Sequence, residues 1–167
     1  MDQKNLAELY DLDPLSWSRV EAELADPDEM QTTFLATTGP DGKPHAAGVG
    51  ALWVDGTLYF TSGPGTRKSR HLAENPSCSL SMALKGIDVV FEGEAERVMD
   101  DATLQRVAER YAEDGWPATV KDHAFTHEYS APSAGPPPWY VYAVRPRVAY
   151  AVAKKEPNGA TRWRFDA

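Results

Sequence analysis

Apolar and polar positions alternate along most of the chain, and the alternation gives way to helical spacing in three short stretches. The first follows Asp13-Pro14, an N-cap and first-turn proline. Trp17, Val20 and Leu24 recur there at i, i+3 and i+7 until Asp26-Pro27 closes the run. This predicts a short amphipathic helix over about 14–26, capping one end of the fold. From Thr32 the period becomes two. FLATT and HAAGVGALWV flank Gly39-Pro40-Asp41-Gly42, and Asp55-Gly56 separates the second run from TLYFTS, predicting three strands joined by two hairpins. Over 77–84, Cys78, Leu80, Met82 and Leu84 share one face and Ser77, Ser79 and Ser81 the other. Ile87, Val89, Phe91 and Ala95 then alternate with Glu92, Glu94 and Glu96, a long strand with one wet face, in which Gly93 signals a bend or bulge.

Asp101 opens a second amphipathic helix through Leu104, Val107, Ala108 and Tyr111, ended by Gly115 and Pro117. Residues 118–138 have no clear period and finish in SAPSAGPPP, a stiff connection. WYVYAV and VAYAVA, split by Arg145-Pro146-Arg147, and a last strand TRWRF after Pro157-Asn158-Gly159 complete six or seven strands and three helices, with no internal repeat. Hairpin-linked strands argue for an antiparallel barrel with added helices and against a doubly wound parallel sheet. At 167 residues the chain reads as one domain, 1–167.

Composition narrows the function. A net charge of -8 disfavours nucleic acid and anionic membranes as partners. No apolar run approaches the roughly 20 residues of a spanning helix, and MDQKNLAELYDLD lacks a signal-peptide profile, so a cytoplasmic location is expected. The single cysteine, Cys78, excludes an intramolecular disulfide and any multi-cysteine metal site, and reads as a small core residue.

One basic cluster stands against the acidic background. Three of the 17 Lys and Arg residues fall at 67, 68 and 70, in the stretch Thr61-Ser62-Gly63-Pro64-Gly65-Thr66-Arg67-Lys68-Ser69-Arg70. It leaves a strand, turns at glycines and enters a helix that Thr66 can cap and Asn75-Pro76 must stop. Free N–H groups at a helix start, the hydroxyls of Thr61, Ser62 and Thr66, and the cations of Arg67, Lys68 and Arg70 together describe an anion cradle fit for a phosphate. The alternative is a solvated helix whose basic face balances acids such as Glu74. The strand-turn-helix context and the hydroxyls favour the phosphate. Arg67 and Lys68 are both expected to be exposed.

FLATTGPDGKPHAAGV, DGTLYFTSGPGTRKSRHLAENPSCSLSM and FEGEAERV, in this order over roughly 30–100, resemble the split-barrel proteins related to pyridoxamine 5'-phosphate oxidase. Members of that family bind flavin mononucleotide (FMN) or the deazaflavin F420. The resemblance implies an antiparallel split β-barrel and a homodimer with the cofactor at the subunit interface. It implies that Thr61, Ser62, Arg67 and Lys68 hold the cofactor phosphate, and that the strand through Gly48, Val49 and Gly50 faces the ring, where glycines allow close approach. It also makes Trp139, Trp163 and Arg164 candidates to complete the partner's site. True pyridoxamine phosphate oxidases carry a histidine between arginines near the C-terminus. TRWRFDA has none, which argues against vitamin salvage. Arg70 extends the basic strip beyond one phosphate, as the acidic tail of F420 would favour.

Other constellations carry less. His123 and His127 have ligand spacing if their stretch is helical, but no third ligand is identifiable, and a polar loop over the pocket is the simpler account. There is no G-x-S-x-G elbow, and GVGALW fails as a dinucleotide fingerprint at its last glycine. No metal site is expected, and no catalytic side chain is identified. The expected function is hydride transfer between a reduced F420 or FMN and a small conjugated organic acceptor, the cofactor carrying the hard chemistry. The rival is a non-catalytic flavin- or haem-binding protein of the same fold, with His45, His71, His123 or His127 as axial ligand.

Overall fold

The computed structural model describes residues 1–25 and 33–165. Its centre is the strand β10 (Tyr140–Ala153), one edge of which pairs along almost its whole length with β7 (Ile87–Arg97). The other edge is shared. Tyr140 to Val144 pair with β5 (Thr57–Ser62), and Val148 to Val152 pair with β11 (Ala160–Arg164). The sheet therefore branches at Arg145-Pro146-Arg147, where Pro146 has no N–H to offer and the register slips between Pro146 and Val148. Gly93 lies opposite. A Cβ at Gly93 would collide with the Arg145 carbonyl oxygen, so the bulge requires glycine there. WYVYAV and VAYAVA are accordingly one bulged strand rather than two.

From β7 the sheet continues through β6 (Ser77–Ala83) and β2 (Thr33–Thr38) to β3 (Pro44–Val49), all antiparallel. β4 (Ala51–Val54) pairs with β5 on the other branch. HAAGVGALWV is thus two strands and not one, breaking at Gly50, where the chain passes between branches. β1 (Asp2–Asn5) adds to β11 at the edge and left no mark in the pattern, because DQKN is polar throughout. This is the antiparallel split barrel expected from the sequence.

Helix α1 (Trp17–Leu24) starts later than the sequence suggested. Its cap is Ser16, whose hydroxyl accepts from the Arg19 N–H at 3.3 Å. Leu15 is held beforehand by its N–H bond to Thr161 Oγ1 at 2.8 Å, which keeps Asp13-Pro14 outside the helix. The expected stop at Asp26-Pro27 lies outside the described residues. Helix α2 (Arg67–Glu74) follows β5, and α3 (Asp101–Glu113) is capped by Asp100, which accepts from the Thr103 N–H at 2.8 Å. The region without a period contains a small hairpin, β8 (Thr119–Lys121) and β9 (Ala124–Thr126). Its turn residues Asp122 and His123 take positive φ values of 51° and 55°, the pattern of a two-residue hairpin.

Two apolar clusters fill the molecule. One gathers Leu35, Phe60, Leu80, Phe91 and Trp163 inside the barrel and includes the buried Cys78. The other packs Leu104, Val107 and Tyr111 of α3 against Phe125, Trp139 and Val141. The second cluster forms one wall of the site below.

Candidate functional site

β5 delivers Thr61 and Ser62 to the start of α2 through a turn that only glycine fits. The Gly63 N–H donates to the Ala134 carbonyl at 2.8 Å, and a Cβ at Gly63 would collide with that same oxygen. Thr66 caps the helix, its Oγ1 accepting from the Ser69 N–H at 3.3 Å and donating to the Gly63 carbonyl at 2.9 Å. Ser69 Oγ donates to Ser62 Oγ at 2.8 Å, and Ser62 Oγ lies 2.7 Å from Thr66 Oγ1. With one proton per hydroxyl, the chain runs Ser69 to Ser62 to Thr66 to the Gly63 carbonyl. Ser62 and Thr66 thus commit their protons to building the helix start, and the N–H groups of Arg67 and Lys68 remain as first-turn donors without an intrahelical acceptor.

The basic residues part company. Lys68 is buried, 5% exposed, and its ammonium donates to the Ser133 carbonyl at 2.5 Å, so the expectation of an exposed Lys68 is corrected. Burial pulls its pKa below the ordinary lysine value. Arg67 is exposed as expected. Arg70 is also exposed, but its guanidinium folds back onto the Gly65 carbonyl at 2.5 Å, which ties up the residue that had favoured an acidic tail.

Beside the helix start opens a cleft of about 540 Å³. Gly48, Val49 and Gly50 line one wall, Tyr111 and Trp116 another, and Thr61 and Ser133 the end nearest α2. A Cβ at Gly48 or Gly50 would meet open space, so the backbone there presents a bare surface. Tyr111 fixes that wall by donating its hydroxyl proton to the Gly50 carbonyl at 2.7 Å. Burial drives the Tyr111 phenol far above its ordinary range, a contact with the Thr61 hydroxyl pulls the other way, and the phenol stays protonated. The sequence did not mark Tyr111, Asp114 or Trp116 as site residues. Tyr111 looked like any apolar position on α3, and nothing in the spacing marks the residues after its end.

Trp163 does not reach the cleft. It is fully buried in the first cluster, its ring edge-to-face with Trp17 at 5.3 Å, and has no face left for a ligand or a partner's site. Trp139 is likewise fully buried, its Nε1 donating to the Gly135 carbonyl at 2.8 Å, while Arg164 is exposed at the end of β11. His123 sits in the β8–β9 turn with Nδ1 2.8 Å from Asp101 Oδ1, and the His127 ring lies 4.3 Å from that of Tyr129. The stretch is not helical, so the two histidines lack the ligand spacing a helix would give. Among the described residues, no group of three His, Cys, Asp or Glu side chains could hold a metal ion.

The family model for pyridoxamine 5'-phosphate oxidase matches residues 20–152, most of the chain. The chain belongs to that family. Solved structures agree on the fold of this pyridoxamine 5'-phosphate oxidase relative. General stress protein 26 of Bacillus anthracis superposes with a TM-score of 0.58 at 17% identity, over 89% of this chain and 97% of its own. A haem-binding protein of Mycobacterium smegmatis gives 0.61 at 18% identity, over 88% of this chain and 58% of its own. An F420 reductase gives 0.51 at 23% identity, over 77% and 94%. Among curated proteins, none matches significantly.

Proposed function

We propose that this chain binds FMN or F420 and transfers a hydride to a small conjugated organic acceptor. The observation that carries the proposal is that Lys68 joins the start of α2 to a glycine-walled cleft through the Ser133 carbonyl. The residues fit such a cofactor. Arg67, Lys68 and the free N–H groups of the first turn supply donors for a phosphate, and the open space over Gly48 and Gly50 suits a flat ring. The bound cofactor supplies the hydride chemistry. The chain's own residues bind and orient it. Val49 and the two glycines set the depth of the ring, Tyr111 locks the Gly50 backbone, and Trp116 with the turn around Ser133 shapes the acceptor side. Ser62 and Thr66 hold the helix start in place, and Thr61 lines the cleft beside Tyr111. An F420 reductase and a haem-binding protein share the fold, and none of the four histidines lines this cleft, which favours the flavin or deazaflavin over haem.

The same proposal includes a homodimer that completes the site. Phe34 on β2 is 52% exposed, and β3 is an outer edge strand among the described elements, both suited to a second copy. A monomeric mass by light scattering at micromolar concentration contradicts the dimer. No described helix is long and apolar enough to cross a membrane. The cofactor proposal is tested by the visible absorption spectrum of freshly purified protein, followed by titration with FMN and F420. Saturable binding of one of them, with hydride passing to added acceptors, is the expected result. A haem spectrum, or binding of neither, overturns the proposal.

A further inference from the structure

The C-terminal end of α3 puts a carboxylate into the cleft that the cofactor assignment above leaves unused. Gly115 takes a φ of 81°, and the chain turns back there. The Gly115 N–H donates to the Ala112 carbonyl at 3.0 Å and the Trp116 N–H to the Tyr111 carbonyl at 2.9 Å. This paired closure needs a left-handed residue just past the helix, which glycine supplies without strain. It fixes Asp114 and Trp116 relative to Tyr111, and all three line the cleft with Gly48 and Gly50. The Tyr111 and Trp116 rings meet edge to face with centroids 5.1 Å apart.

Asp114 stands where the helix dipole disfavours a carboxylate, and Glu113 beside it adds a second. Arg110 answers both, its Nη1 2.7 Å from Asp114 Oδ1 and 3.3 Å from Glu113 Oε2. Among the described residues, no other cation pairs with either carboxylate. One guanidinium against two carboxylates at a helix C-terminus leaves this corner negative. The Glu113 side chain is 70% exposed, whereas that of Asp114 is 22% exposed and belongs to the cleft lining. The charge that a bound molecule meets is therefore that of Asp114. The aromatic faces of Trp116 and Tyr111 act in the same sense, because such rings attract cations. The site thus has cations at the start of α2 and a carboxylate at the end of α3.

We infer that Asp114 makes this end of the cleft select a flat molecule bearing a protonated nitrogen, so that the acceptor carries such a group and not a carboxylate. The inference rests on the proposed hydride transfer and adds the chemical class of the acceptor. The protonated nitrogen donates to the Asp114 carboxylate while the flat body lies beside Trp116. A carboxylate in the same place meets a like charge with no free cation to offset it.

The test is an NMR titration of the full chain with benzamidine, benzamide and benzoate, read at the Trp116 indole N–H. The three probes are flat and alike in shape, and are cationic, neutral and anionic in turn. Benzamidine is expected to bind at least about tenfold more tightly than benzamide, the gain of one charge-assisted hydrogen bond. Benzoate is expected to leave the signal unmoved, even where it binds at the start of α2. Asp114→Asn is expected to bring benzamidine to within about threefold of benzamide, the remainder being what the aromatic faces supply. Glu113→Gln is expected to keep most of the preference. Equal binding of benzamidine and benzamide by the wild type overturns the inference, as does a preference that survives Asp114→Asn or that Glu113→Gln removes as fully. Should Asp114→Asn disturb α3, the wild type decides alone: its Asp114 carboxyl carbon must shift with benzamidine and not with benzamide, and any other result overturns the inference. In a repeat with saturating FMN or F420, loss of benzamidine binding sets Asp114 against the cofactor and also overturns it. The absorption spectrum judges the cofactor separately, and the preference of the free chain stands if neither cofactor binds.

Discussion

Lys68 and Ser133 tie two parts of the site together. An ammonium on the first turn of α2 donates at 2.5 Å to a carbonyl in the cleft wall, 65 residues away in sequence. Replacing Lys68 with Met keeps most of the buried stem and removes the donor. The expected cost in stability is about 1 kcal/mol, with faster amide exchange at Ser133 to Gly135 and unchanged exchange in β6 and β7. Unchanged exchange in that turn contradicts the tie.

Gly93→Ala tests the branch of the barrel. Its Cβ has no room beside the Arg145 carbonyl, and the neighbour is backbone that cannot swing aside. A loss of about 1 to 3 kcal/mol is expected in denaturant unfolding, and a variant as stable as the parent contradicts the bulge.

Cys78 is expected to be slow toward thiol reagents. Burial, and then the nearby Glu94 charge, push its thiol up to about 11 from 9.0. The thiolate fraction at pH 8 is then about a hundredfold below that of an unperturbed thiol. Because the folded value is raised, the folded chain holds its proton more tightly. The associated stability is complete below pH 9 and is lost as pH rises through 11. Labelling at the rate of a free thiol under native conditions contradicts this placement.

The barrel was legible in the sequence because its strands alternate. The faces of β6 and β7 and the apolar stripe of α3 follow directly from residues such as Leu80, Phe91 and Leu104, all fully buried. What the pattern could not carry is pairing. Pro146 suggested a strand break, but a bulge opposite Gly93 lets one strand continue, and Gly50 ends a strand inside an unbroken apolar run. The anion cradle was legible from hydroxyls and cations next to glycines, though not the direction of each side chain. Lys68 and Arg67 are adjacent, yet Lys68 is buried on the Ser133 carbonyl while Arg67 stays exposed, its Nη1 3.5 Å from His45 Nδ1. Trp163 was misread because a tryptophan late in the chain looks the same whether it packs on Trp17 or faces a partner.

His45 is expected to titrate below 6.5, burial being the first cause and the Arg67 charge the second. Its folded value is lowered, so between that value and 6.5 the unfolded chain binds more protons. Stability therefore rises with pH through this window, and the gain is complete above 6.5. An NMR midpoint at or above 6.5 contradicts the placement of His45 beside the Arg67 guanidinium.

The central claim is that Arg67 and Lys68 hold the phosphate of a flavin or deazaflavin. Its most direct test is equilibrium titration of wild type and the Arg67→Ala/Lys68→Met double variant with FMN and F420 in parallel. Charge-assisted hydrogen bonds to a phosphate are worth about 1.5 to 3 kcal/mol each, so the double variant is expected to bind the wild-type cofactor at least about a hundredfold more weakly. Equal affinity of the two proteins for that cofactor would contradict the account.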